Sequence, residues 1–221
     1  MKLIQHFDKI FLVLAIAELV FVVVFPQGRY LTKPLILISL LLYYYIRSSS
    51  PAPIFLIALV FALIGDTVLM FDNLFLIGLG AFLLMQILYA VSFIKQIGKR
   101  NNKKILLTLL VLIITVAIQM VLLPHVAGML IPVIAYTLVI GAMVIAGIWR
   151  IESGQQYLWV LSGVFLFMVS DSILALNKFA FEIPFGGLLV MSTYIAAQYL
   201  IVKGYLKFEQ DSLATMVGSK P

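Results

Sequence analysis

Apolar residues run along this chain in long unbroken stretches, each bounded by a short polar interruption. The stretches extend from about Ile10 to Phe25, Pro34 to Ile46, Pro53 to Phe71, Leu74 to Ile94, Ile105 to Leu123, Met129 to Ile148, Tyr157 to Leu176 and Phe185 to Tyr205. Most approach the roughly 20 residues that a helix needs to cross a hydrocarbon core. The pattern therefore predicts an all-α polytopic membrane bundle of about eight transmembrane helices, forming one domain over residues 1–221 with no separate soluble part. Only Asp72-Asn73 separates the third and fourth stretches, a tight turn of suitable composition. The first stretch follows Lys2 and Lys9 as a signal peptide would. Glu18 interrupts it and no small-x-small cleavage site precedes Pro26, so it reads as a retained span.

Composition strengthens this reading. The chain is 64% hydrophobic and 11% charged, with a mean hydropathy of +1.17, too few polar side chains to cover a water-facing surface. A soluble globular domain and intrinsic disorder are both excluded. With no cysteine, disulfides, thiolate metal sites and a cysteine nucleophile are excluded together. His6 falls in the N-terminal tail and His125 in a loop, so neither a three-histidine zinc site nor a histidine triad assembles. No Walker loop or dinucleotide fingerprint occurs, and no metal or cofactor is expected.

The net charge of +6 matters through its distribution. Lys2, Lys9, Arg47, Lys95, Lys99, Arg100, Lys103, Lys104, Arg150, Lys203, Lys207 and Lys220 fall on one side by loop parity, against Arg29, Lys33 and Lys178 on the other. Cytoplasmic loops carry the excess of positive residues, so both termini are expected in the cytoplasm, with the protein in a bacterial inner membrane. The run from Lys95 to Lys104 reads as a juxtamembrane topology signal rather than a nucleic-acid patch. Bilayer lipids are the expected surroundings, with neither nucleic acid nor an obligate protein partner.

Most acidic residues lie in loops or tails, which leaves Glu18, Asp66 and Asp171 inside spans. An aspartate at bilayer depth costs about 2.5 to 3.5 kcal/mol on insertion scales, so it faces a bundle interior or a wet cavity. Helical rise puts Asp66 about 18 Å and Asp171 about 21 Å from the cytoplasmic ends of their spans, at similar depth beyond the midplane. Phe61 to Leu69 and Phe165 to Leu174 also echo each other, and Tyr89 and Tyr194 each follow their aspartate by 23 residues. This echo suggests two parallel four-helix halves. Two carboxyl groups sharing a low-dielectric pocket resist ionising together, which leaves an acid beside a base. The plainer alternative is that each aspartate packs helices through a hydrogen bond, and the same alternative holds for Glu18.

Other polar groups gather at the same outward ends. Asn177 and Lys178 lie within two turns of Asp171, and Lys33 stands at the mouth of the second span. Their amide and ammonium groups suit a phosphate head group or a carboxylate partner, although both lysines also suit snorkelling anchors. Gln86 with Tyr89, and Tyr194 with Gln198, are spaced to share a helix face.

These residues give the chain a likeness to a known family. Thr32-Lys33-Pro34-Leu35, Gly65 to Leu69, Phe82 to Tyr89, Ser170 to Phe179 and Tyr194 to Gln198 together resemble the YhhN family of multi-span membrane proteins, the Ser170 to Phe179 stretch being the most specific. Where family members often carry a histidine in the fourth span, this chain has Gln86. The resemblance implies hydrolysis of the vinyl-ether bond of a lysoplasmalogen, releasing a fatty aldehyde and a glycerophospho-ethanolamine or glycerophosphocholine. One neutral and one ionised carboxyl suffice for that chemistry, and Asp66 and Asp171 are the candidate catalytic pair, with the roles between them open. Lys33, Asn177, Lys178, Tyr89, Tyr194, Gln198 and Glu18 are then the candidate substrate-binding residues. The residues alone leave two alternatives open, a small proton-coupled transporter and a non-catalytic lipid-binding membrane protein.

Overall fold

The computed structural model describes residues 6–126 and 128–218. Among them are eight α-helices: α1 (Phe7–Val23), α2 (Arg29–Arg47), α3 (Pro53–Val68), α4 (Phe75–Ile94), α5 (Asn102–Leu122), α6 (Leu130–Ile148), α7 (Gly154–Phe179) and α8 (Gly186–Gly218). Short 3-10 turns at Pro26–Gly28, Asp72–Leu74 and Leu123–His125 lie between helices. Five segments are long and apolar enough to cross a membrane, namely Asp72–Ile94, Asn102–His125, Leu130–Ile148, Gly154–Phe179 and Gly186–Thr215. Pro53–Val68 is a shorter apolar helix. The protein is an integral membrane protein. Large apolar side chains such as Leu106, Leu109 and Ile113 on α5 point outward, a face that only lipid solvates comfortably.

Several boundaries differ from those expected. α2 begins at Arg29 rather than Pro34, so Lys33 is a helical residue. α3 stops at Val68 rather than Phe71, because the chain turns over Leu69 and Met70 into the Asp72–Leu74 turn. α7 reaches Phe179, so Asn177 and Lys178 are helical residues. α8 continues past Tyr205 to Gly218. Its polar extension is supported by the Lys207–Asp211 pair one turn apart at 2.8 Å. Glu209 adds to this by accepting from Tyr44 at 2.7 Å and from Ser48 at 2.9 Å.

α7 and α8 form the most extensive helix pair, followed by α3 and α4. Small residues permit the α7–α8 approach. A Cβ on Gly163 would lie 2.9 Å from the Ala197 carbonyl oxygen, and one on Gly204 would lie 2.8 Å from that of Gln156. That hairpin carries Asp171 and Tyr194, and the α3–α4 hairpin carries Asp66 and Gln86.

The loops between α4 and α5 and between α6 and α7 meet through an isolated bridge between Ile97 and Arg150. Two members of the positive set are buried here. Lys104 donates to the carbonyl of Arg150 at 2.8 Å and that of Lys99 at 3.2 Å. The Arg150 guanidinium lies against the rings of Phe93, Tyr205 and Phe208 at 5.3 to 5.9 Å. Lys104 and Arg150 therefore brace this end of the bundle as well as contributing to its charge.

Candidate active site

A cavity of about 520 Å³ opens between the ends of α2, α3, α7 and α8 and the Asp72–Leu74 turn. Asp66 and Asp171 both line it, together with Lys33, Arg29, Asn177, Lys178 and Tyr194. Residues far apart in the chain thus share one chamber, whose remaining walls include Leu69, Phe82, Leu174 and Met191.

Asp66 is almost fully enclosed. Its Oδ2 accepts from the Tyr194 hydroxyl at 2.8 Å, and its Oδ1 faces the Lys33 ammonium at 3.7 Å. Behind Tyr194 the bonding continues: Gln198 Nε2 donates to the Tyr194 oxygen at 3.4 Å, and the Tyr89 hydroxyl donates to Gln198 Oε1 at 2.7 Å. Asp171 is held differently. Gln86 Nε2 donates to its Oδ2 at 3.0 Å, and the Tyr136 hydroxyl donates to the same oxygen. No cation pairs with Asp171 among the described residues.

The bonding is crossed. Tyr194, from the helix that follows Asp171, serves Asp66, while Gln86, from the helix that follows Asp66, serves Asp171. Each carboxyl therefore depends on the opposite hairpin for its orientation. Asp171 also borders two small, largely apolar hollows on its far side, lined in part by Tyr136, Thr137 and Ala175.

The other candidates divide into those at the cavity and those behind it. Lys33 is buried and turned inward onto Asp66, so it is not an interfacial anchor. Asn177 and Lys178 line the cavity, but the Asn177 side-chain oxygen accepts from the Ile183 amide at 2.8 Å, bracing the α7–α8 loop. The Lys178 ammonium stands 5.1 Å from the centre of the Phe75 ring. Tyr89, Gln198 and Glu18 are not among the lining residues. Glu18 is fully buried, accepts from Arg29 Nε at 3.0 Å and from the Thr32 hydroxyl, and so ties α1 to the first turns of α2 beside Lys33.

Tyr136 was not foreseen. A tyrosine well inside an apolar helix, away from both interfaces, is a usable signal, because its hydroxyl needs a buried partner. Arg29, read from the sequence only as a topology charge, proves to be the partner of Glu18 and a cavity residue. Among the described residues no three His, Asp or Glu side chains converge as a metal site.

The sequence pattern of the YhhN family matches residues 28–205, which include every lining residue of the cavity except Pro26 and Gln27. The chain belongs to the YhhN family. Named relatives of this YhhN protein include the lysoplasmalogenase TMEM86A of Bos taurus, 35% identical over 160 residues, with 66% of this chain and 62% of the relative covered. The lysoplasmalogenases TMEM86B of Mus musculus and Homo sapiens are 33% and 34% identical over 151 residues, covering 68% of this chain and 62% of each relative. The match therefore spans less than two thirds of those relatives' length. No solved structure matches the chain.

Proposed function

We propose that this YhhN protein is a lysoplasmalogenase-like hydrolase that cleaves the vinyl-ether bond of a lysoplasmalogen, with Asp66 and Asp171 as its catalytic carboxyls. The observation that carries this reading is the single cavity lined by both aspartates, each fixed by a donor from the opposite hairpin. The lysoplasmalogenase names of its relatives supply the substrate class. In this reading the cavity opens toward the outer leaflet, and both termini lie in the cytoplasm of a bacterium.

Hydrolysis of a vinyl ether begins with a proton delivered to the alkenyl carbon that bears the alkyl chain, which leaves an oxocarbenium ion. Water adds to that ion and gives its proton to a base. The resulting hemiacetal then collapses to the aldehyde and the glycerol hydroxyl, a proton passing from one oxygen to the other. One protonated carboxyl and one carboxylate serve every step. A carboxylate near the oxocarbenium also stabilises its charge, as in glycoside hydrolysis.

The neighbours support one division of the roles. Asp66 has the Lys33 ammonium at hand and serves as the carboxylate. Asp171 has only neutral donors, both on Oδ2, so Oδ1 is left to carry the proton into the cavity. Lys178 and the outer edge of Arg29 hold the phosphate, and the chain runs past Asp171 toward the two small apolar hollows, which widen to admit it. The vinyl ether joins head group to chain, and Asp171 lies where the charge-bearing cavity borders the apolar hollows.

The test is incubation of the purified protein in lipid nanodiscs with a defined 1-alkenyl lysophosphoethanolamine. Mass spectrometry should find fatty aldehyde and glycerophosphoethanolamine in equal amounts. Vectorial movement of substrate in proteoliposomes with no aldehyde would instead mark a transporter.

A further inference from the structure

Half of the charged groups lining the cavity already have a counter-charge: Arg29 is paired with Glu18, and Lys33 with Asp66. Asp171 is held by neutral donors. Two opposite charges are left over, Lys178 and Asp72. Both line the cavity, yet neither belongs to an ion pair or makes a side-chain hydrogen bond among the described residues. They belong to the same stretch of the lining, since Lys178 lies over the ring of Phe75, which follows the Asp72–Leu74 turn directly. Even so, they do not neutralise each other.

We infer that Asp72 and Lys178 form a subsite for a zwitterionic head group, in which Lys178 takes the phosphodiester and Asp72 takes the ammonium. The inference rests on the lysolipid reading above and adds a selectivity to it. A phosphoethanolamine or phosphocholine group carries both charges a few bonds apart, so one ligand satisfies both side chains at once. A phosphoglycerol group satisfies Lys178 but leaves Asp72 without a cation, and a bare phosphate monoester also brings additional negative charge toward Asp72, which is repulsive. Tyr30, also a cavity residue, offers an aromatic ring to a methylated ammonium. The turn that separates α3 from α4 thereby becomes a specificity element, with no part in the bond cleavage.

Binding of saturated 1-alkyl lysolipids tests this, because they carry no vinyl ether and their affinities are read whether or not the protein is a hydrolase. Native mass spectrometry of the full chain would compare phosphoethanolamine, phosphocholine, phosphoglycerol and phosphate heads on one alkyl chain. The wild-type protein should prefer the two zwitterionic heads by about tenfold, a factor worth about 1.4 kcal/mol. Asp72→Asn and Asp72→Ser should each bring that ratio close to one, and Asp72→Lys should reverse it. Lys178→Gln should weaken every phosphate-bearing lipid. A wild-type ratio near one, or an unchanged ratio in both neutral Asp72 variants that retain the wild-type melting temperature, overturns the assignment. Selectivity that behaves as expected without aldehyde release from alkenyl lipids would leave the subsite standing and remove the hydrolase reading. Aldehyde release with an unchanged ratio would do the reverse.

Discussion

Lys33 Nζ stands 3.7 Å from Asp66 Oδ1 in a pair enclosed by protein, the two side chains being 10% and 3% exposed. An ion pair so placed offsets two desolvation costs with one attraction, so removing either partner leaves a buried charge without compensation. Glu18 and Arg29 hold the helix that delivers the lysine.

Replacing the lysine should expose this dependence. Lys33→Met is expected to destabilise the protein by about 3 kcal/mol and to stop aldehyde release. Adding Asp66→Asn should recover most of the stability and none of the activity. The comparison needs thermal melts of the two variants in one detergent, with turnover measured per folded protein. Recovery of turnover in the double variant would contradict a role for the Asp66 carboxylate.

The hydroxyls that orient the carboxyls should be separable from the carboxyls themselves. Tyr194→Phe removes the donor to Asp66, and Tyr136→Phe removes one of two donors to Asp171. A hydrogen bond to a charged group is worth about 1.5 to 3 kcal/mol, so Tyr194→Phe should lower kcat by roughly 10- to 100-fold with little change in KM. Tyr89→Phe acts two bonds further away, through Gln198, and should cost less than Tyr194→Phe. An equal loss in the two variants would show that the chain from Tyr89 to Asp66 acts as a unit.

The tail route is open to steric test. Ala175 lies on the α7 face that borders both small hollows beyond Asp171. Ala175→Phe should reduce turnover of long-chain alkenyl lipids more than that of short-chain ones, shifting the chain-length optimum downward. A uniform loss across chain lengths would place the tail elsewhere.

The far end of the bundle should affect stability alone. Glu209→Gln weakens the tie from α8 to Tyr44 and Ser48, and Arg150→Met removes a guanidinium held among three aromatic rings. Each is expected to lower the melting temperature, by an amount corresponding to about 1 to 2 kcal/mol, while kcat of the folded fraction stays within about twofold. Selective loss of kcat in either variant would require a coupling between the two ends of the bundle.

Element type was easy to read, because unbroken apolar runs of this length leave the backbone little choice but a helix. Helix ends were harder. α8 continues through polar residues because Glu209 and Lys207 find partners there, which hydropathy does not record. The three intramembrane acids stood out by their cost, but the partners of each were not legible, since they depend on which helices touch. The sequence paired Gln86 with Tyr89 and Tyr194 with Gln198 by helical spacing. In the fold Gln198 does donate to Tyr194, but Gln86 and Tyr194 also reach aspartates of the opposite hairpins, and Gln198 meets Tyr89 across the bundle. Tyr136 drew no attention among apolar neighbours, and Asp72 read as turn chemistry although it also lines the cavity.

Single-turnover release of fatty aldehyde from a 1-alkenyl lysophosphoethanolamine, measured for wild type, Asp66→Asn and Asp171→Asn in nanodiscs, addresses the paired-carboxyl mechanism most directly. Both variants keep the shape and lose the ionisable group, although Asp66→Asn also leaves Lys33 without its partner and costs stability. Per folded protein, each should bind lipid while the chemical step falls by about a thousandfold, within the range general acid–base catalysis supplies. Release at the wild-type rate by either folded variant would contradict the mechanism.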